Sequence, residues 1–119
     1  MESRDFQRIK HIKLYCEDIA KSIARFGNDF EIFSIDNDYF NSVSMSVFQI
    51  GELSVHLTDK FKEDTKNQIP WVSIRGMRNM YAHEYSEMKK SLVWLVAIEE
   101  IPKILLFCND IIEQNESIN

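Results

Sequence analysis

The sequence predicts an all-α helical bundle, and three observations carry that expectation. Apolar residues recur at steps of three and four along most of the chain, the spacing of a helix face buried against its neighbours. Glycine and proline are scarce, at 3 and 2 in 119 residues, too few for the tight turns of an all-β fold. No repeat or low-complexity segment interrupts the pattern. The length supports one domain over residues 1–119, since domains cluster near ~100–150 residues. With 45% hydrophobic residues, the chain can bury a core and is too apolar to be disordered.

Ile9, Ile12, Cys16, Ile19, Ile23 and Phe26 form the stripe of a first helix over residues 5–26, which Gly27-Asn28 ends. Residues 28–36 read as a connector whose Phe30, Ile32, Phe33 and Ile35 pack on the core. Asp36 or Asn37 caps a second helix, with Val43, Val47, Ile50, Ser54, Leu57 and Phe61 as its stripe. The polar run KEDTKNQ, residues 62–68, reads as a loop, and Pro70 suits the first turn of a third helix. Trp71, Ile74, Arg78 and Tyr81 carry that helix to about residue 82. A fourth helix, from about residue 88 to 113, offers Leu92, Leu95, Val96, Ile98, Leu105 and Ile112 to the core. Pro102 within it should kink it or leave one carbonyl unpaired. The result is a four- to five-helix bundle. The run VWLVAIEEIPKILLF in the last helix is apolar enough to bury on more than one side. In so small a domain that points to a homodimer formed along long helices.

No apolar run approaches the ~20 residues that span a bilayer, and the opening MESRDFQRIK does not read as a signal peptide. A cytoplasmic protein with no membrane role is expected. Cys16 and Cys108 form no C-x-x-C, so free thiols are expected rather than zinc or a redox pair. The net charge of −5 disfavours nonspecific nucleic-acid binding, because phosphates repel an acidic surface. That charge is uneven: residues 1–26 carry +2, 27–70 carry −5, 71–98 carry +2 and 99–119 carry −4. The basic island of residues 71–98 holds Arg75, Arg78, Lys89 and Lys90. Such islands are usually solvated helix faces, but the chemistry of this chain concentrates in the same place.

The stretch RGMRNMYAHEY, residues 75–85, spaces Arg78 and His83 as Arg-x4-His, with Tyr85 two residues further on. A shuffled chain of this composition gives an Arg-x4-His pair roughly one time in eight, and the full triplet roughly once in 200. With YCEDI at residues 15–19, QIGE at 49–52, IPW at 69–71, and Trp94 and Pro102 in the last helix, the chain resembles a known family. It is similar to the HepT-like toxins of the HEPN ribonuclease superfamily over roughly residues 9–114. The core match is to that family's Arg-x4-6-His-x-Tyr signature, with a polar residue, Asn79, directly after the arginine.

The resemblance implies the toxin of a type VII-like toxin–antitoxin system, a metal-independent endoribonuclease without a cofactor. The RNA's own 2′-hydroxyl would attack the adjacent phosphate, leaving a 2′,3′-cyclic phosphate and a 5′-hydroxyl. It implies catalytic roles for Arg78, Asn79 and His83, and a partner, a minimal nucleotidyltransferase antitoxin, that attaches AMP to Tyr85. The residue chemistry is compatible. His83 is suited to move a proton near neutral pH. Arg78 presents two donors to a phosphate and stays charged throughout. Asn79 can orient a phosphate oxygen or hold the histidine. Tyr85 offers a hydroxyl to phosphate or to modification, and Arg75 is either a second substrate contact or a solvated neighbour.

Helix geometry adds a constraint. Residues five apart lie about 140° apart around the axis, so Arg78 and His83 do not share a face. Either the third helix ends near Ala82 and frees His83, or two copies of the segment face each other across a dimer axis, and the two can combine. Without the resemblance, the spacing alone favours an ordinary helix-end salt bridge from Arg78 or His83 to Glu84 or Glu87. Glu52 is expected to pair with an arginine of the third helix, Tyr81 to be core, and His11 and His56 to be surface or packing residues. A second reading, from another class, is a non-catalytic helical partner subunit of a nucleotidyltransferase, which an acidic surface would suit. A third is a nucleotide-binding sensor built on the same cleft.

Overall fold

The computed structural model describes residues 1–118, so Asn119 of the expected 1–119 domain lies outside the described residues. A first helix, α1 (Ser3–Phe26), sets the long dimension. Its Ile9, Ile12, Cys16 and Ile19 are fully buried, with Ile23 and Phe26 packed at the margin. Gly27 terminates it at φ +118°, a conformation strained for any residue with a Cβ. The expected connector is itself a short helix, α2 (Phe30–Ile35), capped by the Asp29 carboxylate. It drives Phe33 into an aromatic cluster with Tyr39, Phe40 and Trp94. Asp36, rather than Asn37, caps α3 (Asn37–Val55), accepting the N–H groups of Asp38 and Tyr39.

The second helix does not run on to Phe61, and KEDTKNQ is only half a loop. The buried Asp5 carboxylate explains both departures: it accepts the Thr58 N–H at 2.9 Å and the Thr58 hydroxyl at 2.6 Å. Thr58 in turn accepts the Phe61 N–H and caps α4 (Asp59–Thr65). A Thr-Asp step is an ordinary helix start, masked here because the apolar stripe happened to continue through Leu57 to Phe61. Loss of two bonds to a buried carboxylate is costly, at about 1.5–3 kcal/mol for each bond to a charged group. Asp5→Ala is therefore expected to lower the unfolding free energy by about 3 kcal/mol in urea titration, while Asp5→Asn, which keeps an acceptor, loses less.

The third helix, α5 (Trp71–Glu84), starts one residue after Pro70 and runs two residues past the expected end, into a 3₁₀ turn at Tyr85–Glu87. The last helix begins as α6 (Lys90–Leu95) and ends as α7 (Ile101–Ile118). Between them Val96–Glu100 forms a π turn, in which the Ile101 N–H reaches the Val96 carbonyl five residues back. This is how the helix accommodates Pro102, which has no N–H to donate. The expected core positions are displaced with it. Val93, Ala97, Ile101, Ile104, Phe107 and Cys108 are buried, whereas Val96, Leu105 and Ile112 sit at the margin and Leu95 is 49% exposed. The buried seam takes the small Ala97 and Cys108 alongside bulky side chains.

Helix α1 packs on α3 and α7, and α3 packs on α5. The short dimension is 20 Å, room for two helix layers of about 10 Å each. Helix α5 thus lies at an edge, anchored to α3 along one side and open along the other. Among the described residues no helix is long and apolar enough to cross a membrane. Both thiols are buried and unpaired. Burial pushes Cys108 up to about 12 and Cys16 far above the ordinary thiol range, and pushes the Tyr81 phenol up to about 12. In each case the folded value exceeds the unfolded one, so the stabilisation is complete below pH 9.0, the ordinary thiol value. It is lost as pH rises from there through the folded values. The urea midpoint is expected to hold to pH 9 and then fall, and both thiols should resist alkylation until the protein is unfolded.

Candidate active site

Helix α5 is tied to α4 at its start and to α3 at its middle and end. At its start Trp71 is buried and its indole N–H donates to the Thr65 hydroxyl at 2.9 Å. In its middle Gly51 of α3 meets Arg78: a Cβ built on Gly51 would lie 2.5 Å from the Arg78 Cβ, so only glycine permits this approach. At its end the Tyr81 hydroxyl donates to Ser44 at 3.1 Å and the Tyr85 hydroxyl to Asn41 at 2.6 Å. Arg78 and Tyr81 are spaced i, i+3 on one stripe of α5, and Tyr85 follows in the 3₁₀ turn. They meet α3 in antiparallel order at Glu52, Ser44 and Asn41.

Arg78 is held on both sides of its guanidinium. Its Nε donates to the Glu52 carboxylate, and its Nη1 donates to Asn79 Oδ1 at 2.9 Å. The pair is one-third exposed, 31% for each side chain. Of the five guanidinium donors, three have no acceptor among the described residues. The QIGE motif thereby divides its work: Gly51 brings the helices together and Glu52 orients the arginine. Asn79 holds neither the histidine nor a free position for phosphate through its oxygen; that oxygen is committed to Arg78.

His83 is exposed and lies inside α5, one residue before its end. The expected release of His83 by an early helix end at Ala82 therefore does not occur. Being helical throughout, α5 directs Arg78 and His83 about 140° apart. Neither residue forms a salt bridge to Glu84 or Glu87 among the described residues. Tyr85 is 45% exposed and its ring packs on Phe40 and Tyr81, so its phenol is anchored yet reachable. Tyr81 is buried, as expected of a core residue. Arg75 stands apart from this group, lining a separate groove with Lys62 and Lys66 beside the start of α5. His11 and His56 are both exposed, and His56 contributes its backbone carbonyl to Arg8. Among the described residues no three His, Cys, Asp or Glu side chains stand close enough to share a metal ion.

A family model described as ribonuclease HepT-like matches residues 12–111. The chain belongs to the HepT-like ribonuclease family. Two relatives, both named "Putative RNase", support this placement. One, from Methanocaldococcus jannaschii, is 29% identical, with the match covering 80% of this chain and 91% of the relative. The other, from Caldanaerobacter subterraneus subsp. tengcongensis, is 28% identical, covering 91% of this chain and 94% of the relative. No solved structure matches the chain. The HepT-like match spans every rung of the α3–α5 contact, from Asn41 to Tyr85.

Arg78, Asn79, His83 and Tyr85 stand out in the sequence as candidates, whereas Asn41, Ser44 and the role of Gly51 do not. Asn41, Ser44, Met45 and Phe48 repeat at i, i+3, i+4, i+7 beside the core stripe of α3. That second, mixed stripe was the available signal, since a purely solvent-facing side has no need of Phe48.

Proposed function

We propose that this HepT-like chain is a toxin of a type VII-like toxin–antitoxin pair, a metal-independent endoribonuclease silenced by a nucleotidyltransferase antitoxin. The observation that carries the reading is Arg78: a guanidinium fixed by Glu52 and Asn79 with three donors still free. Such a group is pre-organised for phosphate oxygens that gain charge during cleavage. In the reaction the 2′-hydroxyl oxygen bonds to phosphorus and gives up its proton to His83. The bond from phosphorus to the 5′-oxygen breaks, and the 5′-oxygen receives a proton. The products are a 2′,3′-cyclic phosphate and a 5′-hydroxyl, with no metal required by the proton and charge balance.

The working unit is a C2 homodimer with a composite cleft. The helical α5 sets Arg78 and His83 about 140° apart around its axis, which favours a site completed by a second copy. A second copy facing the open side of α5 supplies the missing histidine. Apolar side chains at Leu14 and Met80, 56% and 40% exposed, lie on α1 and α5 and give such a copy something to cover. Arg75 then extends the phosphate track rather than joining the cleft.

The antitoxin acts at Tyr85. Its phenol oxygen attacks the α-phosphate of ATP, pyrophosphate leaves, and the tyrosine carries AMP where RNA would enter. Intact mass after incubation with ATP, Mg²⁺ and the cognate nucleotidyltransferase tests this directly. One or more added AMP units, absent in Tyr85→Phe, is the expected result. No mass gain, together with no cleavage of total RNA by the unmodified protein, overturns the proposal.

A further inference from the structure

The edge of the α3–α5 contact carries a groove of about 480 Å³ lined by Asn41, Ser44, Met45, Phe48, Tyr81 and Tyr85. Its walls are chemically unusual for a surface cleft. Three rings stand in one file, with Phe48 edge-on to Tyr81 at 6.2 Å and Tyr81 tilted on Tyr85 at 5.9 Å between centroids. Met45 also lines the groove at 59% exposure, a polarisable side chain suited to ring contacts. At the rim sits the Asn41 amide. Its oxygen already accepts from Tyr85, which leaves the amide N–H₂ as a free pair of donors.

Arg78 does not line the groove but stands beside it along α5. Arg78 and Tyr81 are three residues apart on one stripe, about 5–6 Å between Cβ atoms. A cation that takes phosphate therefore lies one helical turn from the groove, where the buried Tyr81 backs the half-buried Phe48 ring and the exposed Tyr85 ring. One nucleotide carries its phosphate and its base over a comparable span, and aromatic rings beside a cationic track are the usual platform for unpaired bases. We infer that this groove is a nucleobase subsite, binding an unstacked base of single-stranded RNA while Arg78 holds the adjacent phosphate. It rests on the ribonuclease reading for its phosphate partner and extends that reading to a substrate class. Single-stranded RNA is favoured over duplex, because a base must leave its stack to enter the groove.

The test separates base binding from cleavage. The homodimer, labelled with ¹³C at its methionine methyl groups, is titrated with a single-stranded oligoribonucleotide carrying 2′-O-methyl at every position. That probe cannot be cleaved, so an inactive protein still reports on the groove. The Met45 methyl resonance is expected to move with the base-bearing oligomer and to stay in place with an abasic oligomer of equal length and charge. Phe48→Leu, which keeps apolar volume and removes a ring, is expected to weaken binding about 5- to 150-fold, the equivalent of one stacked base. Asn41→Leu serves as a second variant that leaves the core untouched. Equal responses to the abasic and base-bearing oligomers overturn the subsite, as does full affinity in both variants. A Phe48→Leu protein that binds RNA normally but dissociates to monomers assigns the groove to the second copy instead. If the Met45 response is found and the unmodified RNA is never cut, the ribonuclease reading fails and the subsite stands.

Discussion

Mixing Arg78→Ala protein with His83→Ala protein, each inactive alone, is expected to restore RNA cleavage to about a quarter of the wild-type rate. The singles come first. Removing one preorganised donor from a developing phosphate charge costs about 10²–10³-fold, and removing a general acid–base costs about 10²–10⁴-fold. In the proposed homodimer each variant lacks the same residue in both halves of the cleft, so each should fall at least about 100-fold. In a mixed dimer the His83→Ala protomer still has its arginine and the Arg78→Ala protomer still has its histidine. If the working pair comes from opposite protomers, one of two sites is intact. Random exchange makes about half the dimers mixed, hence the quarter. A site built within one chain gives the opposite result, because every protomer in the mixture then lacks one member. Exchange is verified with a mass tag on one variant. No recovery in exchanged dimers would exclude the composite site and return the problem to how one α5 could direct both side chains inward.

That experiment turns on a helix boundary, and helix boundaries are where this sequence was hardest to read. The apolar stripes of α1 and α3 were legible because Ile9 to Ile19 and Val43 to Ser54 face one core from regular helices. The end of α5 was not. Nothing in the segment Ala82-His83-Glu84 distinguishes a final helical turn from a free one, and the structure continues through it. The last helix misled for a different reason. Its π turn adds a residue ahead of Pro102, and a period of 3.6 read across that insertion drifts onto the flanking face. The site was legible as residue types but not as contacts. Arg78, His83 and Tyr85 announce themselves by chemistry and spacing, whereas Asn41 and Ser44 matter only because α3 lies antiparallel to α5. Glu52 stood between, since a lone acid in an apolar run asks for a partner but does not name it.

Gly51→Ala is expected to reduce the cleavage rate about 100-fold with little change in substrate affinity. By local propensity the substitution should help, because alanine in a helix interior is favoured over glycine by about 0.5–1 kcal/mol. Packing reverses the sign. The new methyl would sit 2.5 Å from the Arg78 Cβ, with the Arg78 Cα at 3.4 Å, so it meets the root of the side chain and the backbone rather than a flexible tip. The two helices must separate, and overpacking of this kind costs about 1–3 kcal/mol. The net loss of stability is therefore small, about 0–2.5 kcal/mol. Activity suffers more, because the same displacement carries Arg78 away from Glu52 and changes where its free donors point. A misplacement near 1 Å is enough for a loss of about 10² in rate. Glu52→Gln is the companion variant: it keeps an acceptor for the Arg78 Nε while removing the charge. It should keep the fold and most RNA binding, yet lose part of the rate. A Gly51→Ala protein with full activity would show that the close α3–α5 approach serves only packing. The phosphate would then have to be held by something other than an arginine whose position Gly51 and Glu52 set.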